Sequence, residues 1–439
     1  MRKRIWLLML LMAVFFLSAC QLRTVDQMYR VPKRPQSYND LQSVMDASMA
    51  GMEYSAPRSG ENQQTVQMAD LDGDGIREYL VFAKSGDDKP LRILIFSQND
   101  GNYALLDTIV CTGASFDLVE YVQMDGIGGM EIVVGCQISD QLPRSVCVYR
   151  LHNGQISQAL STNYTKFLTS DLDSDGRMEV MVLQSGETDT DDGIAALYGM
   201  EDGAMERSNE VKMSGPASKL KRIITGKLHG GIPAVYVAST VGESAIITDV
   251  YALINGTFTN VSLSNESGTS VQTLRNYYVY ADDIDEDGEV ELPSLIPMKS
   301  LVQGNSRERQ DLIRWFAMDI DGKEIDKMHT YHNFVGGWYL QLDPSWADRI
   351  SVHQTGSEFG FYLWSENGLA SEKIFSVYAL TEQNREELAV LDNRFTLHKS
   401  ESVIYAARLE VASGALRITQ NDMIESFHLI RQDWKTGEM

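Results

Sequence analysis

Proline is scarce, with 10 in 439 residues, and basic side chains are outnumbered, with 38 Lys and Arg against 61 Asp and Glu for a formal net charge of −23. So little proline beside 43 % hydrophobic residues excludes a disordered tail. The deficit of positive charge excludes a nucleic-acid binder, because nothing is left over to neutralise phosphates. Cysteine is rarer still. The four are Cys20, Cys111, Cys136 and Cys147, with no C-x-x-C and no Cys/His cluster that would suggest zinc. Signatures of catalysis are missing as well: none of the seven histidines sits in H-E-x-x-H, and there is no G-x-S-x-G, P-loop or dinucleotide fingerprint. What remains is a chain long enough for two or more domains with proper cores.

The one long apolar run is at the start. Arg2, Lys3 and Arg4 precede an unbroken run of 13 residues from Ile5 to Leu17. As a helix it reaches about 20 Å, short of a lipid core of roughly 30 Å, which suits the hydrophobic region of a signal peptide better than an anchor. Leu17-Ser18-Ala19-Cys20 then resembles the lipobox of bacterial lipoproteins. The resemblance implies cleavage before Cys20, a lipid on its thiol, and a chain held at the outer face of the cell membrane. Residues 21–60 read as a polar tether and one short helix, with Leu41, Val44, Met45 and Met49 at helical spacing. Cys136 and Cys147 flank one expected hairpin and are read either as a bridge or as buried thiols.

The most informative feature is a recurring phrase. Asp70-Leu71-Asp72-Gly73-Asp74-Gly75-Ile76-Arg77-Glu78 returns as Asp171-Leu172-Asp173-Ser174-Asp175-Gly176-Arg177-Met178-Glu179. It returns again as Asp283-Ile284-Asp285-Glu286-Asp287-Gly288-Glu289-Val290-Glu291. Two weaker copies fill the gaps. Gln123 to Glu131 keeps only Asp125 and Glu131, and Lys227 to Ala234 is one residue shorter and has no carboxylate. In each unit an apolar strand enters the loop and a β-rich strand leaves it. A third strand follows, such as SVCVYR (145–150), GIAALYG (193–199) or ITDVYALI (247–254), and then a turn such as Asn153-Gly154 or Asn255-Gly256 leads to a fourth. Four hairpin-joined strands repeated radially make a propeller blade, so residues 61–332 are expected to form a β-propeller of about five blades.

Carboxylates at loop positions 1, 3, 5 and 9 are hard oxygen donors at a spacing that suits Ca²⁺. An EF-hand would need Glu at position 12, where Val81, Val182 and Ser294 stand, and helices rather than strands on either side. The pattern resembles the calcium loops of FG-GAP/VCBS-type repeats in integrin-like propellers. That resemblance implies about three calcium sites. Their ligands would be Asp70, Asp72, Asp74 and Glu78, then Asp171, Asp173, Asp175 and Glu179, then Asp283, Asp285, Asp287 and Glu291, with a structural role and no metal at the two weaker loops. The leader EYSAPRSGE (53–61) resembles that of lipoproteins of Gram-positive gut anaerobes carrying such a propeller, a likeness that implies no activity.

After His332 the repeat stops, and residues 333–439 are expected to form a small α+β domain. It would hold strands at WYLQL (338–342), 349–354, 359–364 and 373–379, and a terminal helix from Gln420 with Met423, Phe427 and Ile430 on one face. Trp338, Trp346 and Trp364 could line a ligand face or fill the core. The function expected is a surface-tethered, non-enzymatic binding or scaffold protein with structural calcium, no identified catalytic residue, and a cell-surface protein or glycan as partner. The alternative is an extracellular polysaccharide hydrolase or lyase with its site in the propeller channel. That would require carboxylates of raised pKa converging away from the calcium loops.

Overall fold

The computed structural model describes residues 36–431, apart from 100, 140–142, 189, 277–278, 300–309, 365–371 and 411–415. The expected export signal, Cys20 and residues 21–35 lie outside the described residues. No described helix is long and apolar enough to cross a membrane. Cys111, Cys136 and Cys147 form no disulfide with one another.

The chain is mainly β, and among the described residues the strands make six antiparallel sheets of four or five strands each. They divide between two compact units. Of the described residues, the smaller holds 36–56, Gln64–Ala69 and Gly75–Thr112; the larger holds Pro57–Gln63, Asp70–Asp74 and 113–431.

In the smaller unit the first sheet is built from Glu53–Tyr54, Val66–Ala69, Glu78–Lys84, Leu91–Asn99 and Asn102–Cys111. The helix Gln36–Ser48 and the turn after it pack Leu41, Met45 and Met49 against Val81, Ala83, Leu94 and Phe96 of that sheet. The spacing of i, i+4 and i+8 puts these three residues on one helix face, and that face is what the sheet buries.

The larger unit holds the other five. The second sheet runs Ser115–Val122, Glu131–Gln137, Arg144–His152, Gln155–Tyr164, and the third Lys166–Ser170, Glu179–Gln184, Ile194–Glu201, Ala204–Lys212. The fourth runs Leu220–Lys227, Pro233–Val241, Ala245–Ile254, Thr257–Asn260. Two-residue turns close the outer hairpins: Asn153-Gly154, Asp202-Gly203 and Asn255-Gly256 all have positive φ at both positions, the geometry that matches the twist of paired strands.

Strands inside these sheets read as unbroken apolar runs because both faces are buried. Val180 and Val182 pack with Val133, Val146 and Val148 of the second sheet, whereas Met181 and Leu183 pack with Val235 and Val237 of the fourth. The alternation continues, with Ala234 and Tyr236 meeting Leu292 and Phe316 of the fifth sheet. Within the larger unit, the second to fifth sheets thus stack face to face in succession. A buried polar cluster pins the end of the fourth. Asp249, fully buried, accepts hydrogen bonds from the Ser214 and Ser270 hydroxyls at 2.5 and 2.6 Å, from Asn260 Nδ2 at 2.8 Å and from the Ser214 N–H at 2.8 Å.

The fifth sheet does not end at the expected boundary after His332. Its strands Leu292–Pro297, Asp311–Met318 and Glu324–Asn333 are joined by Trp338–Leu342, which turns back in a hairpin, and by Phe427–Leu429. The terminal helix is correspondingly shorter than its apolar spacing suggests. It spans Gln420–Ser426, opened by a Thr419–Asp422 capping box, and Phe427 leaves it to pair with Leu340. The sixth sheet, with order Ile350–Thr355, Glu358–Leu363, Glu372–Leu380, Ile404–Leu409, Phe395–Lys399, packs Phe361 and Phe375 into a core shared with Trp338. Trp338 is fully buried and Trp346 packs against the same core.

Candidate metal centres

Each repeat loop is anchored by an apolar residue at its second position: Leu71, Met124, Leu172, Leu228 and Ile284 are all buried. Around that anchor the backbone follows one scheme. The N–H of position 2 donates to the glutamate of position 9, Leu172 to Glu179 Oε2 at 2.8 Å and Ile284 to Glu291 Oε2 at 3.1 Å. The N–H of position 5 donates to the carboxylate of position 3: Asp175 to Asp173 at 3.0 Å, Asp287 to Asp285 at 3.3 Å, and in the first loop Asp74 to Asp72 at 3.1 Å. Gly176 and Gly288, both with φ near +87°, donate to the position 1 carboxylates Asp171 and Asp283 at 3.0 and 2.9 Å. Only a residue without Cβ takes that turn cheaply.

Successive loops are also tied to one another. The N–H of position 8 donates to the position 1 carbonyl of the loop before, Met130 to Asp70 at 2.9 Å, Met178 to Gln123 at 2.8 Å and Val290 to Lys227 at 3.0 Å. In the fourth loop that position is Pro233, which has no N–H to give.

This scheme brings the carboxylates together. Asp171, Asp173 and Glu179 offer oxygens within 4.8 Å of one another, and so do Asp283, Asp285 and Glu291. Either group could hold a metal ion. The first loop has the same residue types, with Asp70, Asp72 and Asp74 in the larger unit and Glu78 in the smaller. Two buried oxygens in the groups, Asp171 Oδ1 and Glu291 Oε1, make no hydrogen bond. Crowding of like charges shows in the acidities. Burial, reinforced by the neighbouring aspartates, pushes Glu179 up to about 7 and Glu291 up to about 8. Asp173 and Asp285 rise for the same reasons.

Position 5 differs from expectation. Asp175 does not join its group but pairs with the Arg177 guanidinium, and Asp287 pairs with Lys327 Nζ at 2.6 Å. Both carboxyls are held below the ordinary range by those cations. Lys327 also reaches Glu289 at 2.8 Å, and Glu289 accepts from the Gly230 N–H at 2.9 Å and lies 3.0 Å from His229 Nδ1. Against the cost of its burial, these partners keep Glu289 down to about 2.

The two weaker loops compensate in different ways. In the second, Met124 still donates to Glu131 at 2.7 Å, and Arg150 Nη2 pairs with Asp125 Oδ2 at 2.5 Å. In the fourth, one residue shorter, the Ile232 carbonyl replaces the glutamate and accepts from the Leu228 N–H at 2.8 Å. Away from the loops, a cleft of about 760 Å³ opens in the larger unit, lined among others by Arg144, Asn163, Tyr164, Lys166, Gln184 and Ser218.

No protein-family model matches the chain, and no curated protein sequence does. Among solved structures it is similar to the exotype rhamnogalacturonan lyase YesX, at 14 % identity over 66 % of this chain and 54 % of that one, with a TM-score of 0.30. It is similar also to the rhamnogalacturonan lyase PL11 of Bacillus licheniformis, at 14 % identity over 79 % and 74 % with a TM-score of 0.32. TolB from Acinetobacter baumannii matches at 12 % identity over 70 % and 63 %, with a TM-score of 0.22. The chain thus spans about half the length of YesX and 63 % of the lyase YesW. Likeness at this level assigns no activity.

Proposed function

We propose that the chain is a lipid-anchored, extracytoplasmic binding or scaffold protein of a bacterial cell surface. In this reading the repeats form a β-propeller of about five blades, stiffened by calcium in the loops at 70–78, 171–179 and 283–291. The observation that carries the metal reading is the pair of acidic groups whose buried oxygens Asp171 Oδ1 and Glu291 Oε1 lack any hydrogen-bond partner. All-oxygen donors of this kind suit Ca²⁺ rather than a softer ion. Bound calcium would neutralise the clustered carboxylates and pin each loop. The ligands come from one loop wedged between paired strands, which favours a structural role over turnover. Face-to-face stacking of successive sheets through alternate residues supports the propeller reading.

For recognition, the cleft beside Asn163, Lys166 and Gln184 has the size and the amide and ammonium donors for a short glycan. Crosslinking on intact producing cells, followed by mass spectrometry of protein and glycan adducts, tests this. The expected result is a saturable glycan adduct that is lost with Asn163→Ala and Lys166→Ala together. No enriched adduct, with polysaccharide cleavage by the purified protein, would instead establish the hydrolase or lyase reading.

A further inference from the structure

We propose that Arg150 is the resident cation of the second repeat loop, its guanidinium standing where the neighbouring acidic loops would hold a metal ion. The backbone of residues 123–131 repeats the scheme of the metal-ready loops. The Met124 N–H donates to Glu131 Oε2 at 2.7 Å, and the Ile127 N–H donates to Asp125 Oδ1 at 2.8 Å. The counterparts in the third loop are Leu172 to Glu179 and Asp175 to Asp173. Position 1 has changed from a carboxylate to an amide, and Gln123 Oε1 accepts from the Gly126 N–H at 2.7 Å. Two carboxylates are therefore left, and a cation pairs with the first of them. Arg150 Nη2 lies 2.5 Å from Asp125 Oδ2, with side chains only 12 % and 10 % exposed.

Charge balance favours the same conclusion. With every carboxylate ionised, Asp171, Asp173 and Glu179 with a divalent ion sum to −1, and so do Asp125 and Glu131 with one guanidinium. Neither Arg177 nor Lys327 takes this role in its own loop, since both pair with position 5, outside the acidic triads. The geometry that admits Arg150 is built in. It stands on Arg144–His152, in the same sheet as the loop, and its Nη1 lies against Gly203 of the next sheet's hairpin. A Cβ at Gly203 would come within 2.4 Å of that nitrogen, so a larger residue would displace the guanidinium. The second repeat is thus locked without metal, and its order is independent of calcium supply, unlike that of residues 171–179 and 283–291.

The test uses the full-length chain and has two arms. In chelator, Arg150→Met leaves Asp125 and Glu131 facing each other and lowers the melting temperature by roughly 5 °C. Adding Asp125→Asn removes the stranded charge and recovers at least half of that loss. A double variant that melts no higher than Arg150→Met, or that fails to fold, overturns the proposal. The second arm counts cations by terbium luminescence and calcium titration. Gln123→Asp with Arg150→Met restores a position 1, 3 and 9 triad and should bind one more cation per chain than the parent. Equal stoichiometry in a folded variant overturns the proposal. Only this arm touches the calcium reading: a parent that binds no cation sinks that reading, while the metal-free arm still decides the role of Arg150.

Discussion

Raising the pH of the metal-free protein from 6.5 to 8.5 should destabilise it, and calcium should remove most of that loss. Burial holds Glu131 and Glu179 up to about 7 and Glu291 up to about 8. In the unfolded chain these carboxyls ionise near the ordinary value of about 4.3. Between the two values the folded state keeps protons that the unfolded state has released, so stability falls with rising pH. Below pH 6.5 the buried histidines act in the opposite sense. His332 is held down to about 3, and His329 and His428 are also lowered by burial; their unfolded counterparts are half-protonated at pH 6.5, so within the window each offsets at most ~0.4 kcal/mol of the fall. Glu291 alone remains protonated over about 1.5 pH units of the window, a loss of ~2 kcal/mol at 1.36 kcal/mol per unit, and the other two add less than half of that each. The histidine offset, and screening by solvent that reaches the loops, leave a net fall of about 1 to 2 kcal/mol. Urea denaturation in chelator at the two pH values measures it. Saturating calcium should leave only the small share from Glu131, and Glu291→Gln should flatten the metal-free slope. Equal or greater stability at pH 8.5 in chelator would refute the reasoning.

Other expectations are independent of pH. Changing Asp72, Asp173 and Asp285 together to Asn should lower the melting temperature in calcium and abolish most of the calcium-dependent shift; an undiminished calcium titration would contradict the assignment. Asp249→Ala strands the donors of Ser214, Asn260 and Ser270 in a buried site and should cost about 3 kcal/mol by denaturant titration. Gly129→Ala would set a Cβ 2.3 Å from the Leu71 carbonyl oxygen, so a marked fall in melting temperature is expected, whereas Gly75→Ala meets no neighbour and suffers only from its φ of +84°. Mass spectrometry of membrane-extracted protein should find lipid on Cys20, and Cys20→Ala should release the chain into the soluble fraction.

The repeat was legible because its determinants are local. Positions 1, 3 and 9 carry acids at a spacing that one turn can converge, and Asn-Gly and Asp-Gly pairs mark hairpins whose backbone few other residues accept. Alternating burial on both faces was hidden, since an unbroken apolar run such as EVMVL reads the same whether one or both faces are covered. Position 5 is a ligand candidate by its chemistry alone. Its actual partner in the third acidic loop, Lys327, lies 40 residues away, beyond any local pattern. Arg150 is hidden for the same reason, 25 residues from Asp125. The boundary after His332 and the length of the last helix followed local periodicity, but pairing of Phe427–Leu429 with Trp338–Leu342 outweighs the helical preference there.

The central claim, that acidic loops bind calcium as part of the fold, is tested most directly by titrating chelator-stripped full-length protein with calcium. Calorimetry would count the sites, and a melting curve would be taken at each step. The account predicts three saturable sites and a melting temperature that rises as they fill. A chain that binds no calcium, or binds it with no change in melting, would contradict it.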